Sequence, residues 1–187
     1  ALPLGQQSET LRSLGEARWA ALCTACPSLP AEHRLVDLLG LSDFLADNLK
    51  RQPELLTELL ASGDLERTER QAEARARLDT ALTGCGAEPE LHSLLRRHRR
   101  REMLVIAYRD LSGLASLAES LAHLSALADD CVAGALNWLY AKQCQEAGTP
   151  YAPSGERQEL LVLGMGKLGA GELNFSSDID LIFAYPE

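Results

Sequence analysis

The chain contains 187 residues, which is enough for one sizeable domain or for one domain and part of another. Its 46% of apolar and 24% of charged residues are typical of a soluble globular protein, and the dominance of Leu and Ala over the 5% of aromatic residues favours helices. The net charge of −9 argues against a general binder of nucleic acid or of anionic membranes, because no overall positive field would attract phosphate groups.

The sequence contains no signal peptide and no apolar run near the roughly 18 residues that a membrane span requires. The five cysteines lack the spacing of a disulfide framework. Cys23-Thr-Ala-Cys26 has no second pair and no His at zinc spacing, so helix packing is the favoured interpretation. We therefore expect a reduced, cytoplasmic protein. The chain lacks an initiator Met and stops at Tyr185-Pro186-Glu187, directly after a predicted strand, which indicates a fragment.

Residues 1–155 are predicted to form consecutive helices. Ser42 can cap a short helix that continues to Arg51, Pro53 can occupy the first turn of the next helix, and that helix ends near Gly63. In two long segments, apolar residues recur at steps of three and four, which is typical of amphipathic helices that pack on one another. The predicted helices lie near residues 9–26, 30–49, 54–60, 68–82, 88–111 and 114–146.

The stretch Arg96-Arg97-His98-Arg99-Arg100-Arg101 is the strongest local charge run. At helical spacing these residues surround most of the helix, which favours a solvated helix over a stripe that binds phosphate or a partner. The four histidines, at positions 33, 92, 98 and 123, have no visible nucleophile partner and are assigned to surface or core positions.

After the turn-rich linker at 148–155 the apolar period changes from helix to strand, so we predict a helical domain at 1–155 and the start of a second domain at 156–187. A strand leads into Gly164-Met-Gly166-Lys167-Leu168-Gly169, and a second strand is predicted to open with Asp178-Ile-Asp180. Because strand side chains alternate, Asp178 and Asp180 would share one face about 7 Å apart, with Ile179, Leu181 and Phe183 on the other. Two carboxylates so placed can hold a hard cation such as Mg²⁺.

The glycine turn adds backbone N–H groups at a helix start, where phosphate binds readily. We expect Gly164, Gly166, Leu168 and the charged Lys167 to surround the phosphates of a nucleotide. Lys167 could instead be an exposed lysine at an electrostatically poor position. Asn174, Ser176 and Ser177 could contact the nucleotide or be ordinary turn residues, and the two aspartates could merely cap a strand edge.

The string also satisfies G-x-G-x-x-G, the dinucleotide-binding fingerprint. In that motif the turn leads into a full helix, and the acidic residue ends the second strand about 20 residues later. Here eight residues separate Gly169 from Asp178, and the acids begin the strand. A phosphate turn of a nucleotidyltransferase is therefore favoured over a dinucleotide site or a purely structural turn.

The segment from Gly164 to Phe183 resembles the first nucleotidyltransferase motif of the glutamine synthetase adenylyltransferase/deadenylylase family. Leu41-Ser-Asp-Phe-Leu45 with Pro53-Glu-Leu-Leu56 resembles the N-terminal helices of that family, as does the stretch that begins at Leu94 and includes Leu124-Ser-Ala-Leu-Ala-Asp-Asp-Cys131. The resemblance covers roughly residues 41–185. It implies a mainly α chain, with an N-terminal helical bundle followed by the first strand-turn-helix-strand of a truncated α/β nucleotidyltransferase (polymerase-β-like) domain.

By position, the chain resembles the start of the deadenylylating half, which removes AMP from a tyrosine of glutamine synthetase by phosphorolysis, giving ADP; the other half attaches AMP from ATP. The resemblance implies that Asp178 and Asp180 are catalytic and hold Mg²⁺. It also implies glutamine synthetase, a PII-type signal protein, ATP or ADP and inorganic phosphate as partners. Ala170 replaces a glycine common in the family, and the third metal-holding carboxylate belongs to a later strand, so we expect this chain alone to be inactive.

Two other functions remain open from the sequence. The helices could serve as an interaction module that docks glutamine synthetase, a PII signal protein or the rest of the same polypeptide. The chain could also be an unrelated nucleotidyltransferase that modifies RNA ends or small molecules, although its acidic charge and the helical resemblance argue against this.

Overall fold

Most of the chain is helical in the computed structural model, which describes residues 4–27, 29 and 33–185. This confirms the predicted mainly α class with a short strand region at the C-terminal end. The elements of the described part are α1 (Leu4–Ala25), α2 (His33–Leu41), α3 (Asp43–Arg51), α4 (Glu54–Ser62), α5 (Gln71–Thr83), α6 (Glu88–Leu111), α7 (Leu117–Ala147), β1 (Leu161–Gly164), α8 (Gly166–Gly169) and β2 (Leu181–Ala184). No described helix combines the length and the apolar content needed to cross a bilayer.

Local signals place most helix ends. The Ser42 hydroxyl accepts a hydrogen bond from the Leu45 amide at 3.2 Å, as predicted for an N-cap, and this cap divides the single segment expected at 30–49 into α2 and α3. Gly63 ends α4 in the left-handed conformation. Residues 30–32, where the predicted segment began, lie outside the described residues.

The chain forms two compact units. The first unit contains residues 1–70 and 100–116, and the second contains residues 71–99 and 117–187, so α6 begins in the second unit and ends in the first. Neither unit ends at residue 155. The boundary expected from sequence marks a change of secondary structure, whereas the units follow packing, and the division into 1–155 and 156–187 stays a prediction.

The first unit has a leucine-rich core and, beside it, a buried network of charges. Arg70 pairs with Glu102 with both side chains almost fully buried, and Arg101 bonds Glu102 at 2.8 Å and Asp64 at 2.7 Å. Arg101 is therefore a structural residue, contrary to the expectation of a solvated run, whereas Arg96, Arg97 and Arg99 are exposed as predicted. The core side chains come from α1 to α4 and the second part of α6, and include Leu22, Leu35, Leu39, Leu45, Leu55, Leu56, Leu104 and Val105.

In the second unit, α5 and α7 pack together, and Arg75 of α5 bonds Asp79 at 2.9 Å and Asp130 of α7 at 3.1 Å. The predicted linker is an ordered turn: the Gln158 amide donates to the Pro150 carbonyl at 2.9 Å. The Tyr140 hydroxyl of α7 donates to the Gln158 carbonyl. This linker therefore positions the start of β1 against α7.

β1 and β2 form an antiparallel ribbon in which Val162 lies opposite Phe183. Leu181 and Phe183 share one face, as predicted, and line a cavity of about 390 Å³ together with residues of α7. Ile179 lies outside the strand and is exposed.

The remaining residues singled out in the sequence are dispersed. All five cysteines are free thiols. His98 and His123 are buried and His92 is exposed, which fits core and surface positions, whereas the His33 side chain lies outside the described residues.

Candidate functional site

The glycine turn joins β1 to α8 through Met165. Gly166 adopts φ +56°, in the left-handed region that favours glycine. A Cβ on Gly169 would lie 2.4 Å from the carbonyl oxygen of Gly164, so the two backbones touch. Both glycines are therefore required by the shape of the turn.

The start of α8 presents unpaired backbone donors. The first amides that bond within the turn are those of Gly169, to the Met165 carbonyl at 3.3 Å, and Ala170, to the Gly166 carbonyl at 3.0 Å. The amides of Gly166, Lys167 and Leu168 make no hydrogen bond to any described residue, as expected for a helix start. Such donors suit an anion.

Lys167 and Leu168, two predicted phosphate-binding residues of the turn, differ in the exposure of their side chains. Lys167 is exposed and forms no ion pair with a described residue, so its charge is available. The Leu168 side chain is buried beneath Gly164, where an added Cβ would lie 3.0 Å from the Leu168 Cγ. Leu168 can therefore offer a ligand only its backbone.

The prediction that Asp178 and Asp180 open the second strand is wrong. β2 begins at Leu181, and continuation of the ribbon register would place residues 178–180 opposite Met165, Gly166 and Lys167, which turn into α8. Gly166 and Lys167 belong to α8 and do not pair as strand residues, so the two acids lie in the loop before β2, and strand alternation cannot place them on one face.

The structure nevertheless brings the acidic loop to the glycine turn. The Met165 amide donates to the Asp180 carbonyl at 2.9 Å, which continues the ladder by one bond beyond the strands. The side chains of Asp178 and Asp180 are exposed and make no hydrogen bond or ion pair with a described residue. Two unpaired carboxylates therefore lie on the loop that is bonded directly to the glycine turn.

Ser176 and Ser177 are held by a neighbouring amide side chain. The Asn174 Oδ1 accepts hydrogen bonds from the Ser176 amide at 3.2 Å, the Ser176 hydroxyl at 3.3 Å and the Ser177 hydroxyl at 2.7 Å. This arrangement gives the three residues the turn role that the sequence left open. Their contact with a nucleotide stays a prediction.

Sequence reasoning missed Ser125 of α7. Its hydroxyl accepts a hydrogen bond from the Leu173 amide at 3.1 Å, and thereby ties the segment between α8 and the aspartates to a long helix. The local signal was a serine between Leu124 and Leu127, inside the apolar face of α7. A buried serine requires a hydrogen-bond partner, but the sequence does not say which.

The two aspartates fit part of a magnesium site. They supply the hard oxygen ligands that Mg²⁺ prefers and are not occupied by other partners. Within the described ranges no group of three His, Cys, Asp or Glu side chains could hold a metal. The chain thus offers two unpaired carboxylates, and their binding of Mg²⁺ stays a prediction.

Comparison with known proteins identifies the family. A sequence model of the glutamate-ammonia ligase adenylyltransferase family matches residues 32–187. Three bacterial relatives are each named bifunctional glutamine synthetase adenylyltransferase/adenylyl-removing enzyme. The protein of Psychromonas ingrahamii is 50% identical over 82% of this chain and 16% of its own length. That of Pseudomonas aeruginosa is 47% identical over 100% of this chain and 19% of its own length.

The third relative, from Nitrosococcus oceani, is 52% identical over 79% of this chain and 15% of its own length. The chain thus spans less than a fifth of each of these relatives. These matches confirm the resemblance seen in the glycine turn, the aspartates and the helices. The chain belongs to the glutamate-ammonia ligase adenylyltransferase family.

Proposed function

We propose that this chain supplies the N-terminal helices and the phosphate-binding start of a nucleotidyltransferase that controls glutamine synthetase by reversible adenylylation. The observation that carries the proposal is the bond from the Met165 amide to the Asp180 carbonyl. It joins the unpaired amides of α8 to the loop with two free carboxylates. The names of the relatives, bifunctional glutamine synthetase adenylyltransferase/adenylyl-removing enzyme, support glutamine synthetase as the proposed substrate.

We infer further that this part serves the deadenylylating half, because its helices resemble the N-terminal helices of the family. In that reaction an oxygen of inorganic phosphate attacks the phosphorus of adenylyl-tyrosine. The new P–O bond yields ADP, the bond to the tyrosine oxygen breaks, and the phenolate takes up a proton. No protein nucleophile is required, and catalysis consists of positioning and charge neutralisation.

The residues of the turn have separate roles in this proposal. The amides of Gly166, Lys167 and Leu168 and the ammonium group of Lys167 hold phosphate oxygens in line with the bond that breaks. Asp178 and Asp180 hold Mg²⁺, which supplies charge neutralisation at the phosphate oxygens when bound. Because the resemblance implies a third carboxylate, we propose that the 187-residue chain alone is inactive.

The test replaces each aspartate in the full-length protein. Asp178→Asn and Asp180→Asn should abolish release of ADP from adenylylated glutamine synthetase in the presence of phosphate and Mg²⁺, without a change in circular dichroism. Glu159→Gln, which neutralises an exposed acid just before β1, is the matched control and should retain activity. Deadenylylation retained in both aspartate variants would remove these residues from the site. Binding to glutamine synthetase that needs no nucleotide would instead favour the helical interaction module.

A further inference from the structure

Ser125 of α7 and the Leu173 amide form a buried hydrogen bond next to the candidate site. The serine side chain is on α7, which extends from Leu117 to Ala147, and Leu173 lies between α8 and the aspartates. We propose that Ser125 is a positioning residue that fixes the acidic loop relative to the phosphate turn. The inference rests on the proposed function of that loop.

The direction of the Ser125 hydroxyl is determined by its own helix. It donates to the Leu121 carbonyl at 2.9 Å, one turn earlier in α7. With its proton committed there, the hydroxyl can meet Leu173 only as an acceptor, and it accepts from the Leu173 amide at 3.1 Å. Both residues are buried, with 5% and 7% exposure, so water cannot readily replace this acceptor.

Leu173 occupies a central point in the loop. Just before it, the Glu172 amide donates to the Lys167 carbonyl at 2.8 Å, which ties the loop to α8. Just after it, Asn174 holds Ser176 and Ser177, the two residues that precede Asp178. A shift at Leu173 would therefore be transmitted both to the phosphate turn and to the aspartates.

Replacement of Ser125 by alanine would disturb the loop more than the helix. Alanine is the strongest helix former and fits the space of serine, so α7 should persist. The Leu173 amide, however, would be left buried without an acceptor, which is costly, and the loop would move until the amide reached water. Displacement of catalytic groups by about 1 Å can cost about 100-fold in rate.

The experiment uses three variants of the full-length protein. Ser125→Ala removes the acceptor and Ser125→Thr retains it. Ser93→Ala is the control, because Ser93 bonds the carbonyl of Pro89 one turn earlier at 3.0 Å but lies exposed on α6. Three quantities are measured: the Mg²⁺ concentration for half-maximal phosphorolysis, hydrogen exchange of peptides covering 169–177, and adenylylation from ATP as a check that the protein is folded.

We expect Ser125→Ala to raise the half-saturating Mg²⁺ concentration by about tenfold or more and to speed exchange at Leu173, with adenylylation retained. Ser125→Thr should show smaller changes in the Mg²⁺ requirement and in exchange at Leu173, and Ser93→Ala should match the wild type. Across the variants, the half-saturating Mg²⁺ concentration must rise whenever hydrogen exchange at the Leu173 amide becomes faster. The inference is overturned by a variant in which only one of these two quantities changes, or by a Ser125→Ala protein with the wild-type Mg²⁺ requirement.

The two proposals fail in different ways. If Asp178→Asn and Asp180→Asn both leave phosphorolysis intact, the proposed role of the acidic loop is wrong, and the role of Ser125 is lost with it. If Asp178→Asn abolishes phosphorolysis but Ser125→Ala leaves the Mg²⁺ requirement unchanged, only the positioning role of Ser125 is wrong.

Discussion

Replacement of Gly169 by alanine should disrupt the glycine turn at 164–169 through a single backbone contact. The added Cβ would lie 2.4 Å from the Gly164 carbonyl oxygen, about 0.6 Å inside the 3.0 Å limit below which Cβ contacts essentially do not occur. The clashing atom belongs to the backbone at the end of β1, so a rotamer change cannot relieve it. Either β1 or α8 must move.

The cost follows from the size of this displacement. Insertion of a methyl-sized group into a close-packed position typically costs about 1–3 kcal/mol. We expect about 2 kcal/mol here, which corresponds to a roughly 30-fold loss of the native turn. Since the Met165 carbonyl accepts from the Gly169 amide and the Met165 amide donates to Asp180, the displacement should also separate the turn from the acidic loop. In the proposed reaction of the full-length protein, the rate of phosphorolysis should therefore fall by about 100-fold.

Two assays on the full-length protein measure this effect: hydrogen exchange at Met165 and the rate of ADP release from adenylylated glutamine synthetase. Gly84→Ala is the control in the same unit, because its Cβ would meet no atom closer than 4.0 Å. Gly171→Ala serves to distinguish backbone strain from a steric clash. Gly171 has φ +71°, where alanine is strained, but the added Cβ would have no atom within 4 Å. A Gly169→Ala protein with wild-type exchange and rate would refute the close approach of Gly164 and Gly169.

Two further predictions concern charge. Glu102→Gln should lower the free energy of unfolding of the first unit by about 3 kcal/mol in chemical denaturation, because Arg70 would remain buried without its carboxylate. The control, Glu69→Gln at an exposed position, should change it by less than about 0.5 kcal/mol. Equal effects of the two substitutions would contradict this account. The pKa of Asp129, an exposed residue, is raised by partial desolvation and to a smaller extent by Asp130. The folded state therefore binds the proton more tightly, and stability falls slightly as the pH rises above the ordinary Asp pKa of about 3.9. Asp129→Asn should therefore unfold at a higher temperature than the wild type at neutral pH and at the same temperature at about pH 3, as thermal scans at both pH values can check.

The sequence alone determined the features that depend on neighbours within a few residues. Ser42 caps α3, Gly63 ends α4 and the apolar period delimits α6, because capping bonds and helical spacing are local. The family also followed from sequence, since the glycine turn and the aspartates occur together in one short segment.

Only the tertiary structure decided where the second strand begins and which side chains support the site. Asp178 and Asp180 precede β2 because the chain across the ribbon turns at Met165 into α8, which alternation within one strand does not reveal. Arg101 is drawn into a buried network with Asp64, and Ser125 meets Leu173. In both pairs the partners are far apart in sequence. The free energy of burying a charge or an amide depends on its partner, and the partner is known only once the chain has folded.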